Sequence, residues 1–264
     1  MSGSPASRLD PLDVVREPRP VQRVAVLSDV HGNAVALEAV LDEVASARVE
    51  LIVFGGDLSW GPLPRATIDL VRDLGQARFV RGNSERALLE LAGGLAHEPT
   101  ERERWMLGAH TSDDIAFVRR FVPQLVVQIA GLGATGFVHG SPRSDEECVT
   151  PRTPAERVTA FSEGVAERVL VSAHIHVQFD REIGGIRSLN PGSVGLPYEG
   201  SPGARWALLG PDVEHRTTVY DVERAVRLYG ETDDPRRALM IEILTEPPTS
   251  EEAITDAEDR VFAG

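Results

Sequence analysis

The sequence predicts an α/β fold in which helices pack on a parallel sheet, and three observations carry that expectation. Short, nearly continuous apolar runs at residues 23–29, 51–54 and 77–80 read as buried strands. Helical patterns alternate with them: Leu37, Val40, Leu41 and Val44 recur at i, i+3, i+4 and i+7, and Ile68, Val71 and Leu74 share one face after Pro64. A β-α-β-α-β order of this kind builds parallel strands with crossover helices. Finally, 264 residues, 42% of them hydrophobic, suffice to bury a sizeable core.

The remaining elements follow in order. Residues 84–121 are helical and polar in pattern, which suggests an insert over one end of the sheet. Strands resume at 125–129 and 135–138. A helix is expected from Thr153-Pro154-Ala-Glu156, with Thr153 as N-cap, Pro154 at the first helical position and Glu156 completing a capping box. Further strands are expected at 169–172, around 177–179, and at 186–189, 206–209 and 213–219. The last 44 residues turn helical, with Val222, Ala225, Val226 and Tyr229 on one stripe and a second run over 236–244. The expected organisation is therefore a polar tail at 1–22, a main domain at 23–220 and an acidic helical extension at 221–264, with apolar stripes that could serve the core or a homo-oligomer.

Composition closes several functional classes. All 27 basic residues are arginine, which removes Schiff-base lysines and the P-loop lysine. The formal charge is −14, and residues 231–264 carry ten acids against three arginines, a net −7. Such a field disfavours non-specific binding to nucleic acid or anionic membrane. With Cys148 the only cysteine no intrachain disulfide can form, and the first 20 residues hold no apolar run resembling a signal peptide, so a cytoplasmic location is expected. Gly131-Leu-Gly133-Ala-Thr-Gly136 fits a dinucleotide fingerprint, but residues 137–142 read as a strand and loop where that fingerprint needs a helix. A glycine-rich connection between two strands is the better expectation. Cys148 and Ser193 lack the surroundings of a nucleophile.

Chemistry concentrates at strand ends. Asp29 and His31, Asp57, Asn83, His139, and His174 with His176 each lie at or just beyond the C-terminal end of an expected strand, the edge where open α/β sheets bind ligands. Residues two apart in extended chain share a face, so Asp29 with His31, and His174 with His176, can aim two donors into one space. One aspartate there ordinarily caps a helix and one histidine is ordinarily structural, but here five such placements coincide. Two carboxylates, an amide and four imidazoles suit Mn, Fe, Zn, Co or Ni better than Ca or Mg.

Asp29-Val-His31, Gly56-Asp57, Gly82-Asn83, Val138-His139-Gly140 and Ala173-His174-Ile-His176, in this order and followed by Asn190-Pro-Gly-Ser-Val194, resemble the calcineurin-like metallophosphoesterases, in particular their small bacterial and archaeal phosphodiesterases. The resemblance covers roughly residues 23–220. It implies a four-layer αββα sandwich of the metallo-dependent phosphatase type and two divalent transition-metal ions, Mn foremost, with Fe, Zn, Co or Ni as alternatives. It further implies that Asp29, His31 and His176 hold one ion, that Asn83, His139 and His174 hold the other, and that Asp57 bridges them. A metal-bridging hydroxide would then attack a small-molecule phosphodiester, nucleotide-like ones included, with Asp57, Asn83 and His139 as catalytic residues.

The chain departs from the family after Gly82-Asn83, where many members carry a histidine thought to protonate the leaving oxygen and this one has Ser84-Glu85. Ser84 is read as the N-cap of the next helix and Glu85 as an ordinary first-turn acid. His97 and His110 are candidates for the missing acid, and Arg81, Arg86 and Arg143 for phosphate contacts. A phosphomonoesterase, a nucleotide pyrophosphohydrolase of the same superfamily, and a metal-binding regulatory protein without turnover remain open as alternatives. The bridging role makes Asp57→Asn the sharpest test: it should take up less metal and lose nearly all hydrolysis, and full activity in that variant would refute the assignment.

Overall fold

The computed structural model describes residues 13–94 and 98–262. From the N-terminus run β1 (Val14–Arg16), β2 (Val24–Leu27), α1 (Ala34–Ser46), β3 (Leu51–Phe54), α2 (Pro64–Val71) and β4 (Ala77–Phe79). Three helices follow, α3 (Asn83–Gly93), α4 (Glu101–Ala109) and α5 (Ser112–Val118), and then β5 (Gln124–Ile129), β6 (Gly133–Phe137), α6 (Ala155–Phe161) and β7 (Val169–Val171). The chain closes with β8 (Phe179–Ile183), β9 (Ile186–Asn190), β10 (Ala204–Leu209), β11 (Val213–Thr218), α7 (Val222–Gly230), α8 (Arg237–Thr245) and α9 (Ser250–Phe262).

The strands form two mixed sheets rather than one parallel sheet. One has the order β1-β5-β6-β7-β9-β8, the other β11-β10-β2-β3-β4. Parallel pairing is confined to β1/β5, β2/β3/β4 and β6/β7/β9; β10 enters the second sheet antiparallel to β2. Strand alternation explains the layers. In β2, Val24 and Val26 face the other sheet, packing in one core with Leu125, Val127, Phe137 and Val171, while Ala25 and Leu27 face a core shared with α1, α7 and α8. A third core lies outside the first sheet, where Val158 and Phe161 of α6 meet Ile254 and Ala257 of α9. The result is helices, sheet, sheet, helices. The C-terminal stripes are buried in it through Ala225, Tyr229, Met240 and Leu244, with Leu239 left exposed.

Several local expectations need correction. Within the presumed polar tail, Val14–Arg16 pairs in parallel with β5, and Val21 bridges Ile129. All three β1 side chains are exposed, so this strand is held by backbone hydrogen bonds and leaves no alternation to read. Thr153 is not the cap of α6: Pro154 occupies that position, and the Thr153 hydroxyl accepts from the Thr150 N–H at 2.8 Å. Of residues 177–179 only Phe179 belongs to a strand, because Val177 is buried from a loop. The glycine-rich segment joins two strands, as expected: Gly131 and Leu132 form the β5/β6 turn and Gly133–Gly136 already pair within β6. Among the described residues no helix is long and apolar enough to cross a membrane.

Candidate metal centre

The loops following β2, β3, β4, β6 and β7 meet at one rim, where their backbones are tied together. The Asp29 N–H donates to Gly56 O, His31 N–H to Asp57 O, Gly195 N–H to Asp29 O and Ala173 N–H to His139 O. Ser193, at the loop after β9, adds its hydroxyl to the Asp29 carbonyl at 2.7 Å. Six described non-glycine residues have positive φ, and five of them are Asp29 (52°), His31 (48°), Asp57 (54°), His174 (70°) and His176 (60°). A left-handed non-glycine residue costs on the order of 1–2 kcal/mol, so this strain is concentrated where side chains must be turned inward together.

The side chains converge accordingly. His176 Nε2 lies 3.3 Å from Asp29 Oδ1, His31 Nε2 3.7 Å from Asp57 Oδ2, and His139 Nε2 3.5 Å from Asp57 Oδ1 and 3.0 Å from Asn83 Oδ1. Donor atoms of Asp29, His31 and His176 fall within 4.8 Å of one another, as do those of Asp29, Asp57 and His139. His174 stands beside this cluster, its ring centroid 5.1 Å from that of His139 and its N–H on Asp29 Oδ2. All seven expected residues are thus at one rim, with Asn83 Oδ1 against His139 Nε2 and Asp29 within reach of both tight groups. His31, Asn83 and His174 keep partial exposure and form the mouth; Asp29, Asp57, His139 and His176 are buried.

Hydrogen bonding decides what these groups can hold. Nδ1 of His31, His139 and His176 lies on the carbonyls of Trp60, Gly55 and Leu196, at 3.2, 2.8 and 2.8 Å. A carbonyl only accepts, so each Nδ1 carries the proton and each Nε2 presents a lone pair to the cluster. His31 Nε2 and His176 Nε2 are then two lone pairs 3.2 Å apart. Asp29 Oδ1, fully buried, has no hydrogen-bond partner among the described residues. Such an arrangement is unfavourable alone and is relieved by a cation, so the residues fit a metal. Protonation pulls the same way at Asp29, Asp57 and His174, whereas at His139 the two carboxylates favour the protonated ring, which a cation would have to displace. Burial would raise the Asp29 carboxyl, but His176 beside it holds it well below the usual range, and Asp57 is lowered against burial by His139 and His31. His139 rises, because Asp57 and Asp29 outweigh its burial. Burial and the neighbouring His139 pull His174 down to about 4, keeping that imidazole neutral.

Two residues matter more than their sequence context suggested. Gly82, not Ser84, caps α3, and Ser84 lies within the first turn, where its N–H and hydroxyl both donate to Asp57 Oδ1 at 3.0 and 2.7 Å. Glu85 is 1% exposed, and its carboxylate accepts the N–H groups of Asp57, Leu58 and Gly82 at 2.7–2.8 Å. It fastens the β3 loop to the β4 loop. Burial and the nearby Asp57 push its carboxyl up to about 7 against those three bonds. Gly82 is needed at this junction, since a Cβ there would lie 2.1 Å from Asp57 Oδ1. The spacing of Asn83, Ser84 and Glu85 was visible; that Ser84 and Glu85 together clamp Asp57, while Asn83 turns to His139, was not.

The expected phosphate contacts separate. Arg81, Arg86 and Arg143 line a cavity of about 240 Å³ that reaches His139. Arg143 is paired with Glu147 at 2.6 Å, and Arg86 with Asp145 and Glu146 at 2.8 and 2.5 Å. Among the described residues Arg81 makes no such pair. His110 is buried with Nδ1 on Met106 O and Nε2 on Ser59 Oγ, leaving neither nitrogen for a substrate. His97 lies outside the described residues.

Comparison with known proteins agrees with this geometry. The calcineurin-like phosphoesterase superfamily domain matches residues 23–211, and the chain belongs to that family of metal-dependent phosphoester hydrolases. Its fold is similar to a metallophosphoesterase from Sphaerobacter thermophilus, at 24% identity and TM-score 0.69 over 84% of this chain and 98% of that one. It is also similar to a hypothetical protein from Pyrococcus horikoshii OT3, at 20% identity and TM-score 0.75 over 86% of this chain and 99% of the other. No curated protein matches significantly. Because Ser84 supports Asp57, Ser84→Ala should keep the fold and weaken metal affinity about 10-fold in a competitive chelator titration; unchanged affinity would show that the hydroxyl does not position the carboxylate.

Proposed function

We propose that the chain is a phosphodiesterase for a small-molecule phosphodiester, working with two divalent transition-metal ions, Mn foremost, at the strand-end cluster. Asp29, His31 and His176 would hold one ion, Asn83, His139 and His174 the other, and Asp57 would be shared. The observation that carries this reading is the convergence of three imidazole Nε2 lone pairs on two buried carboxylates, with each Nδ1 fixed by a backbone carbonyl. Ions bound there would neutralise phosphoryl oxygens and provide a water-derived nucleophile at neutral pH.

The protein's own part is to orient and to exclude. The carbonyls of Gly55, Trp60 and Leu196 lock the imidazole planes, and Ser84 with Glu85 holds Asp57 in place. Ser84 cannot protonate a leaving group, since its hydroxyl proton is committed to Asp57 Oδ1 and a serine hydroxyl is far too weak an acid. That favours substrates whose leaving group departs without help. The cavity beside His139 supports a diester over a monoester, because it supplies room for a second ester arm.

Turnover of an aryl phosphodiester and of the matching monoester, with Mn²⁺ added and after chelation, tests the proposal. The expected kcat/KM is about 10-fold or more higher for the diester, lost with chelator and restored by metal. Faster monoester turnover would make the chain a phosphomonoesterase, and tight metal uptake with no turnover of either would make it a binding protein.

A further inference from the structure

Three arginines line the cavity beside His139, and their surroundings differ in kind. Arg143 is half-exposed and forked onto Glu147, with both Nε and Nη2 engaged. Arg86 is spread over Asp145, Glu146 and Glu90. Both charges are therefore already compensated by the loop that forms the cavity wall. Arg81 is different. It follows β4, its backbone is pinned by an N–H bond to Val122 O, and its guanidinium has neither a hydrogen bond nor an ion pair among the described residues. Its Nε is buried without a partner. Arg72, Arg102 and Arg216 also bury an Nε without a hydrogen bond, but each of those guanidiniums is ion-paired through another nitrogen; Arg81 feels the field of Asp145 without pairing to it, so an anion arriving from the cavity is an acceptor whose charge and geometry match it.

Arg81 also stands two residues before Asn83, at the partly exposed mouth of the cluster, while His139 borders both the cluster and the cavity. One bound molecule can therefore touch both places. We propose that Arg81 is the specificity-determining residue for the second ester arm, and that the preferred substrate is a phosphodiester whose arm carries a further anionic group, a phosphate or carboxylate, seated against the Arg81 guanidinium. This rests on the phosphodiesterase reading and names the class of diester. Arg86 and Arg143 do not share the role; ion-paired to Asp145, Glu146 and Glu147, they shape the wall. The negative loop also makes the cavity selective, since an anion is welcome only within reach of Arg81 and a long polyanion would meet those carboxylates.

A matched pair of substrates isolates the effect: thymidine 5′-(4-nitrophenyl phosphate) and the same compound bearing a 3′-phosphate, assayed on the Mn-loaded full-length protein. The wild type should favour the 3′-phosphorylated compound by about 10- to 100-fold in kcat/KM, mainly through KM, as one charge-assisted contact predicts. Arg81→Gln should lose that preference and Arg81→Lys should retain part of it. As a readout independent of turnover, inorganic phosphate is titrated calorimetrically into the chelated full-length protein, where it cannot bind to metal; Arg81→Gln should weaken its binding about 10-fold or more. Absence of preference in the wild type, or its persistence in Arg81→Gln with unchanged phosphate binding, would overturn the proposal. A chain that turns over neither substrate contradicts the phosphodiesterase reading instead, and the phosphate titration still decides the role of Arg81.

Discussion

The structure depends on the burial of Asp29 and Asp57, fully and to 4% exposure, within a few ångströms of each other's partners. Taking an ionised carboxylate out of water costs several kcal/mol even after relaxation, so a pair of them must be compensated on the spot. The surrounding architecture does this. The His174 N–H binds Asp29, the Ser84 N–H and hydroxyl bind Asp57, and four imidazoles stand around the two. A third buried acid, Glu85, is neutralised differently, by three backbone N–H groups that belong to the loops carrying Asp57 and Asn83. The strained φ angles at Asp29, His31, Asp57, His174 and His176 follow from the same requirement, because extended backbone would project these side chains to the faces of the sheets and away from the common centre. What remains uncompensated, an orphaned Asp29 oxygen and facing imidazole lone pairs, has the sign and shape of a cation site.

Much of this was legible because strand ends are. Asp29, His31, Asp57, Asn83, His139, His174 and His176 announce themselves by following apolar runs, and parallel strands bring such ends to one edge whatever the details of topology. The division into two mixed sheets was harder, since an antiparallel β10 inserted beside β2 has the same apolar pattern as a parallel strand. β1 was invisible for the opposite reason, its side chains all being exposed. Ser84 and Glu85 were misread through two residues of register: with Gly82 as the cap, the serine moves inside the helix and onto Asp57, and the glutamate turns back to the loop behind it. Sequence also shows three equivalent arginines near the motifs. Only their distances to Asp145, Glu146 and Glu147 reveal that two are already neutralised.

Charge distribution takes on a different meaning in this light. The net −14 is carried partly by the C-terminal helices, and α9 packs behind α6 on the outer face of the first sheet. The rim itself concentrates imidazoles, and in the cavity beside it the Arg81 guanidinium is without an ion pair among the described residues. A globally acidic chain can therefore discourage long polyanions while admitting a small one at a single place.

The central claim is that the strand-end cluster holds two divalent ions with Asp57 between them. Anomalous diffraction from crystals grown with Mn²⁺ measures this most directly. Two anomalous peaks are expected, one bounded by Asp29, His31 and His176, the other by Asn83, His139 and His174, both in contact with Asp57. A single peak that leaves Asp57 without a ligand bond, or metal bound only elsewhere on the protein, would contradict it.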